Sequence, residues 1–413
     1  MYFDMKNILS LLLFGLLTVL MGCKQPMTTL HTTSVAEPKK EIITGADQTE
    51  LYVSYLKNKK VGMVVNQTSI IGNTLSVDSL LSLGIHISAV FGPEHGFRGN
   101  ASNGAKVEDE VDGQTGIRII SLYGKKRKPS KEDLDQLDMM LFDIQDVGCR
   151  FYTNINTLAD VMEACAENNK ELVILDRPNP NAYVDGPILD MSLKSGIGKF
   201  PIPITHGMTI GEFAQMLNGE GWLTNKVKCK LKIIKIKNYD HTMMYTLPVK
   251  PSPNLNTQQS VLLYPSLCLF EGTIVSQGRG TRMPFTVLGS PALEGQYSFS
   301  FTPVSIPGMS ETPLHHGNTC YGLDLRTYDT KSLFSNGKIN LQWLIELYNA
   351  YPDKEKFFDF SQSKQMGNFD KLAGTTELKQ QIIKGVPESE IRKGWEAGLA
   401  QYKEMRKKYL LYP

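Results

Sequence analysis

Between Val61 and Leu175 short, unbroken apolar runs alternate with segments of helical periodicity, and few folds accept that pattern. Val61–Val65, Ile85–Phe91, Ile117–Ser121, Met139–Ile144 and Leu172–Leu175 read as strands. Glu50 to Lys57, Val77 to Leu83, Lys131 to Leu137 and Asn156 to Asn168 read as helices. Strands apolar on both faces need cover on both, and helices between successive strands supply the crossovers of parallel pairing. The expected fold is α/β: a Rossmann-like, doubly wound, mainly parallel sheet.

A chain of 413 residues outgrows one ordinary core, so a second domain is expected. From Phe200 the text turns proline-rich, Leu231 to Ile236 makes a further strand, and beyond Pro251 the loops lengthen. The boundary therefore falls near residue 250, with residues 46–250 forming the Rossmann-like domain and residues 251–413 a smaller α+β domain. Its last helix opens at Pro387-Glu388, and Ile391, Trp395, Leu399, Tyr402 and Tyr409 recur on it at core-packing spacing.

At the amino terminus, Lys6 precedes an apolar stretch from Ile8 to Met21, shorter than the roughly 20 residues of a membrane span but suited to a signal-peptide core. It ends Leu20-Met21-Gly22-Cys23, which resembles the bacterial lipoprotein box. Residues 1–22 are then the leader, Cys23 carries the lipid and anchors the protein to a membrane, and residues 23–45, rich in Thr, Pro, Lys and Glu, form a flexible tether. An exported lipoprotein on the periplasmic side or at the outer membrane is expected.

Lys+Arg 44 against Asp+Glu 42 leaves a formal charge of +2, and no basic stripe interleaved with aromatics stands out, so no nucleic-acid partner is expected. Cys149, Cys165, Cys229, Cys268 and Cys320 are scattered without a CxxC pair and read as small core residues. G-x-G-x-x-G, the P-loop and G-x-S-x-G are all missing, which removes the usual dinucleotide, nucleotide and serine-hydrolase readings. Neither a cofactor nor a metal is expected.

Polar residues follow the apolar runs in a series. Asn66 follows the first, Glu94 the second, Tyr123 the third, Asp143 and Asp146 the fourth, and Asp176-Arg177 the fifth. Parallel strands bring these to one edge, where open α/β sheets bind ligands. Within Phe91-Gly92-Pro93-Glu94-His95-Gly96-Phe97-Arg98-Gly99, glycine and proline bend the chain and phenylalanines flank the acid. Apolar neighbours would raise the Glu94 pKa and keep it protonated. Glycoside hydrolysis needs two carboxyl groups, and Glu94, Asp146 and Glu271 are the available set. For Asp176, before Arg177-Pro178-Asn179-Pro180, a turn or capping role is an equal alternative.

The Phe91–Gly99 loop, Asp143-Ile144-Gln145-Asp146-Val147-Gly148-Cys149-Arg150-Phe151-Tyr152-Thr153, Leu175-Asp176-Arg177-Pro178-Asn179-Pro180, His206-Gly207-Met208-Thr209, Pro251-Ser252-Pro253-Asn254-Leu255 and Phe270-Glu271-Gly272-Thr273 together resemble the exo-acting β-N-acetylmuramidases, from about residue 50 to the end. The resemblance implies a hydrolase releasing terminal N-acetylmuramic acid from the non-reducing end of peptidoglycan fragments, with the smaller domain completing the cleft and Glu94 as the leading catalytic residue. Where the family commonly carries an acid, Ser276-Gln277-Gly278 offers a neutral Gln277, which takes no catalytic role.

For such a substrate, Arg98, Arg150, Arg177 and Arg279 are candidate partners of the lactyl carboxylate. Tyr123 and Tyr152 could stack on sugar faces, and Asn66, His95, Asp176, His206 and Asn254 could bind its polar groups. Two rivals stand beside this reading: a metal-dependent cell-wall amidase or deacetylase, and a sugar-binding lipoprotein without turnover.

Overall fold

Tyr52, Leu56, Val77 and Leu80 pack with Val61, Met63 and Val65 on one face of a seven-stranded sheet, while Val64 turns to a second apolar layer on the other face. This period-2 division is what a strand buried on both sides requires. The computed structural model describes residues 40–93, 110–122, 124, 126–359 and 368–413.

The strands are β1 (Val61–Val65), β2 (Ile87–Gly92), β3 (Glu110–Val111), β4 (Arg118–Ser121), β5 (Met139–Asp143), β6 (Glu171–Leu175) and β7 (Lys230–Ile234). Their order is β7-β6-β5-β1-β2-β4-β3, parallel throughout except for the β3–β4 pair. The chain winds outward from β1 through β2 to β4, then returns to β5 on β1's other side. The reversal puts a topological switch point between β1 and β5, and ligands of such sheets bind at that carboxyl edge.

One face is covered by α1 (Val53–Leu56) and α2 (Ser76–Ser82), the other by α3 (Lys131–Asp135), α4 (Asn154–Glu167) and α5 (Ile210–Gly219). In α4 the residues Ile155, Leu158, Ala159, Met162 and Cys165 recur at helical spacing and are buried. Capping boxes, Ser130 with Asp133 and Thr209 with Glu212, start α3 and α5. The expected elements are present with shifted ends. The helix read over 50–57 is only Val53–Leu56 behind a 3-10 turn at Thr49–Leu51, and β2 starts at Ile87 because the Ile85 amide is used to close α2 on the Leu80 carbonyl.

The second domain is smaller and α+β. A three-stranded antiparallel sheet, β8 (Val287–Ser290), β9 (Phe299–Phe301) and β10 (Cys320–Asp324), packs with α6 (Gln258–Leu267), α7 (Thr330–Asn336), α8 (Gln342–Ala350), α9 (Phe369–Ala373) and α10 (Glu377–Ile383). The final helix, α11 (Glu388–Lys407), places Ile391, Trp395 and Leu399 in this core and Tyr402 in the sheet's core, so one apolar stripe joins both. Cys149, Cys165, Cys229, Cys268 and Cys320 are buried free thiols.

Candidate active site

The switch point is furnished by the segments that leave β1 and β5. Asn66 turns the chain after β1: its Oδ1 accepts the Thr68 N–H at 2.9 Å and the Thr68 hydroxyl, leaving the amide nitrogen to offer. Gln67 Nε2 donates to the Pro251 carbonyl at 2.9 Å, and so does the Tyr152 hydroxyl, tying the β1 edge to the loop that carries Asn254. Asn254 donates to the Met309 carbonyl at 2.7 Å, while its Oδ1 is buried without a partner.

After β5, Asp146 uses Oδ2 to accept the Gly148 N–H at 2.6 Å, and its Oδ1 is buried and unpartnered. His206 Nε2 stands 3.6 Å from Asp146 Oδ2 and makes no hydrogen bond. Because His206 Nδ1 accepts the Met208 N–H at 3.3 Å, the neutral ring carries its proton on Nε2, facing the carboxylate. Two buried side chains thus keep unused capacity side by side. Buried polar groups are nearly always satisfied, so each open atom calls for a partner such as a water, an ion or a ligand.

A second buried acid lies behind. Glu271 Oε1 accepts from Arg279 Nε at 2.7 Å, from Arg279 Nη2 at 2.6 Å and from Gln277 Nε2 at 3.0 Å. Burial pulls the Arg279 guanidinium down, but Glu271 more than offsets this and holds it above the usual arginine range. The guanidinium also stacks 5.1 Å over Phe285, and edge contacts run from Phe285 through Tyr264 to Tyr152. Gly280 permits the wrap: its φ is +79°, and a Cβ there would meet Pro313 at 2.5 Å. Glu271 therefore orients Arg279 through Oε1, an ion pair the sequence alone did not announce, while among the described residues its Oε2 meets only Cys268 Sγ at 4.0 Å. Gln277, given no catalytic role, is one of its clamps.

Three other expected substrate contacts are engaged elsewhere. Arg150 is fully buried and donates to the carbonyls of Pro187, Ile202 and Leu372 at 2.8–2.9 Å, and burial lowers its pKa to about 9. It braces the joint between the domains and cannot reach a sugar carboxylate. Arg177 donates to Asp143 at 2.7 Å and to the Ile70 carbonyl at 2.7 Å, so it locks the sheet edge. Asp176 caps α5, accepting from Gly211 N–H at 2.8 Å, Thr209 hydroxyl at 2.7 Å and Tyr412 hydroxyl at 2.6 Å. Burial pushes this carboxyl up to about 6, with those donors working against the shift.

Asn66, Asp146, Tyr152, His206 and Asn254 are thus the described residues on the segments tied to the switch point, and Arg279 connects to Tyr152 through Phe285 and Tyr264. Glu94, His95, Arg98, Tyr123 and Cys23 lie outside the described residues. Sequence reasoning passed over Gln67, Gln145 and Asn181. Gln145 Nε2 bridges the carbonyls of Asp146 and Pro178, and Asn181 Nδ2 bridges those of Val147 and Val261. Gln145 sits inside a motif already singled out, where an amide beside a site acid was the available signal, and Asn181 stands one residue beyond another.

Two family models match the chain in succession: exo-β-N-acetylmuramidase NamZ, N-terminal, over residues 61–259, and its C-terminal counterpart over residues 262–412. The chain belongs to the NamZ exo-β-N-acetylmuramidase family. It is 38% identical over 395 residues to the peptidoglycan β-N-acetylmuramidase NamZ of Bacillus subtilis (strain 168), covering 91% of this chain and 92% of that one. Two crystal structures of DUF1343 family proteins from Bacteroides fragilis NCTC 9343 share the fold. One has a TM-score of 0.82 at 44% identity, covering 90% of this chain and 99% of its own. The other has a TM-score of 0.73 at 28% identity, covering 91% and 100%.

Proposed function

We propose that this protein is an exo-acting glycoside hydrolase that releases terminal N-acetylmuramic acid from the non-reducing end of peptidoglycan fragments. The observation that carries the reading is the succession of both family models along the chain, joined to the strand-end edge where Asp146 and His206 keep unused polar atoms. Hydrolysis of a glycoside needs a proton for the leaving oxygen and a carboxylate that attacks the sugar or activates water. Glu94, flanked in sequence by Phe91, Pro93 and Phe97, is assigned the acid role. Asp146, with Oδ1 free, is assigned the second role in preference to Glu271.

Around that pair, the His206 Nε2–H and the Asn66 amide are suited to sugar oxygens, and Asn254 Oδ1 to the acetamido N–H. Arg279, oriented by Glu271, is the assigned partner of the lactyl carboxylate. Tyr152 is assigned to the sugar face, and His95, Arg98 and Tyr123 to the same cleft. Incubation with a chromogenic β-N-acetylmuramide tests the activity: muramic acid release is expected, and saturable binding without product would sink the reading.

The Leu20-Met21-Gly22-Cys23 sequence supports a further proposal, that the mature protein begins at a lipidated Cys23 and is held on a membrane on the periplasmic side. Metabolic labelling with a fatty acid is expected to mark the wild type and not C23A; label on both would reject it.

A further inference from the structure

Strand β7 forms one end of the described sheet and pairs there with β6 alone, so its outer edge is open. On it lie Lys230 and Lys232, and on the segments just before and after it Lys226, Lys228, Lys235 and Lys237, with no acidic residue between 226 and 237. All are exposed except half-buried Lys232. Lys59 joins them from the end of α1. The Nζ atoms of Lys59 and Lys232 lie 4.3 and 4.5 Å from the centroid of the Tyr55 ring. Among the described residues one carboxylate answers this group directly: Glu171 binds the Tyr55 hydroxyl and stands 3.6 Å from Lys230 Nζ. The sequence showed no basic stripe with aromatics because the lysines from 226 to 237 and the tyrosine are more than 170 positions apart and meet only across the folded sheet.

Lysines on an open edge deter pairing with another chain, which accounts for Lys230 and Lys232. Lys226, Lys228, Lys235 and Lys237 lie outside the strand and ask for another cause, and the path of the chain supplies it. Ile43 and Lys237 exchange backbone hydrogen bonds of 3.0 and 2.8 Å, so the amino-terminal segment enters the body against this stripe. Residues 24–42 separate that bridge from Cys23, a reach of at most roughly 65 Å even at full extension.

We propose that the lysine-rich segment from Lys226 to Lys237, on and around β7, is a contact surface for anionic phospholipid, which seats the enzyme on the bilayer that holds its lipid. A polybasic surface adds about 1 kcal/mol per lysine close to an anionic leaflet, and so seats the body of a protein that its lipid already holds nearby. The inference deepens the anchoring reading and rests on it for the choice of bilayer over other polyanions.

The test compares the mature protein with its K228E/K235E/K237E variant on vesicles of phosphatidylcholine alone and of phosphatidylcholine mixed with phosphatidylglycerol. Charge reversal keeps the edge charged, so its guard against aggregation stays while the sign that an anionic surface reads is inverted. Wild type is expected to partition about tenfold or more in favour of anionic vesicles at low salt. That preference should shrink as salt is added and vanish in the variant, whose thermal midpoint and muramide hydrolysis stay unchanged. Equal wild-type partition onto both vesicles overturns the lysine face and leaves the anchor standing. Partition onto anionic vesicles only upholds the face and rejects the anchor. Preference unchanged in the variant overturns the face. Should the variant fold poorly, the salt dependence of wild type decides alone.

Discussion

Asp146 and Asp176 follow neighbouring parallel strands, on the same edge, in segments that look equally conspicuous in sequence. Their hydrogen bonding separates them. Asp146 keeps Oδ1 unpartnered beside an unpartnered His206 Nε2, whereas Asp176 accepts from Arg177, Thr209, Gly211 and Tyr412. A buried acid with spare capacity can serve a ligand; a saturated one holds the fold. Position at a strand end therefore nominates a residue, and the account of its lone pairs decides the role.

The sharpest way to break this contrast is to remove charge from both acids. D146N is expected to lower muramide turnover by roughly 10²–10⁴-fold while the thermal midpoint stays near wild type. Turnover within a few-fold of wild type would strip Asp146 of its role and return the question to Glu271.

The opposite pattern is expected of D176A. Removing the acceptor strands the buried Thr209 and Tyr412 hydroxyls and the Gly211 N–H, at a cost of about 3–5 kcal/mol. The backbone is packed tightly onto this carboxylate: a Cβ on Gly211 would lie 2.8 Å from Asp176 Oδ2. Denaturant unfolding measures the loss; a stable D176A with depressed turnover would reverse the assignment.

Acidity gives a finer handle. The folded state holds the Asp176 proton up to about 6 against an ordinary 3.8, so between those values it binds more protons than the unfolded chain. This group's contribution is complete below the ordinary value and falls as pH rises through about 6, by about 3 kcal/mol in all. The stability gap between wild type and D176N should therefore narrow from about pH 4 to about pH 7, read as the difference in thermal midpoints. A gap that widens over that range would mean that Asp176 is ionised at all these pH values.

Much of this was legible in the chain. Apolar runs such as Met139–Asp143 announce a doubly covered parallel sheet, because only burial on both faces suits them, and the polar residues that end them fall on one edge. The antiparallel β3 was not legible, since two exposed residues, Glu110 and Val111, carry no periodicity. Nor was the fate of Arg150, whose three acceptors come from positions 187, 202 and 372. An arginine inside a motif looks the same whether its partners are a substrate or three distant carbonyls, and only the tertiary fold chooses. Glu271 shares that ambiguity: its partner Arg279 is near in sequence, but the pairing depends on how the glycine loop between them closes.

The smallest effect tests how tightly the saturated cluster is coupled to the open one. Thr209 lies three residues after His206; its hydroxyl donates to Asp176 and accepts the Glu212 N–H at 3.3 Å, and its own N–H donates to Glu212 at 2.9 Å. T209A should cost about 1–2 kcal/mol, and T209S, which restores the hydroxyl, should recover most of it. If capping alone is at stake, kcat/KM of the folded T209A protein stays within about threefold of wild type, since the His206 ring is fixed by the Met208 N–H and not by Thr209. A drop of about tenfold or more, rescued by serine, would instead mean that the helix cap positions the imidazole, and the division between structural and reactive acids on this edge would give way to a single shared network.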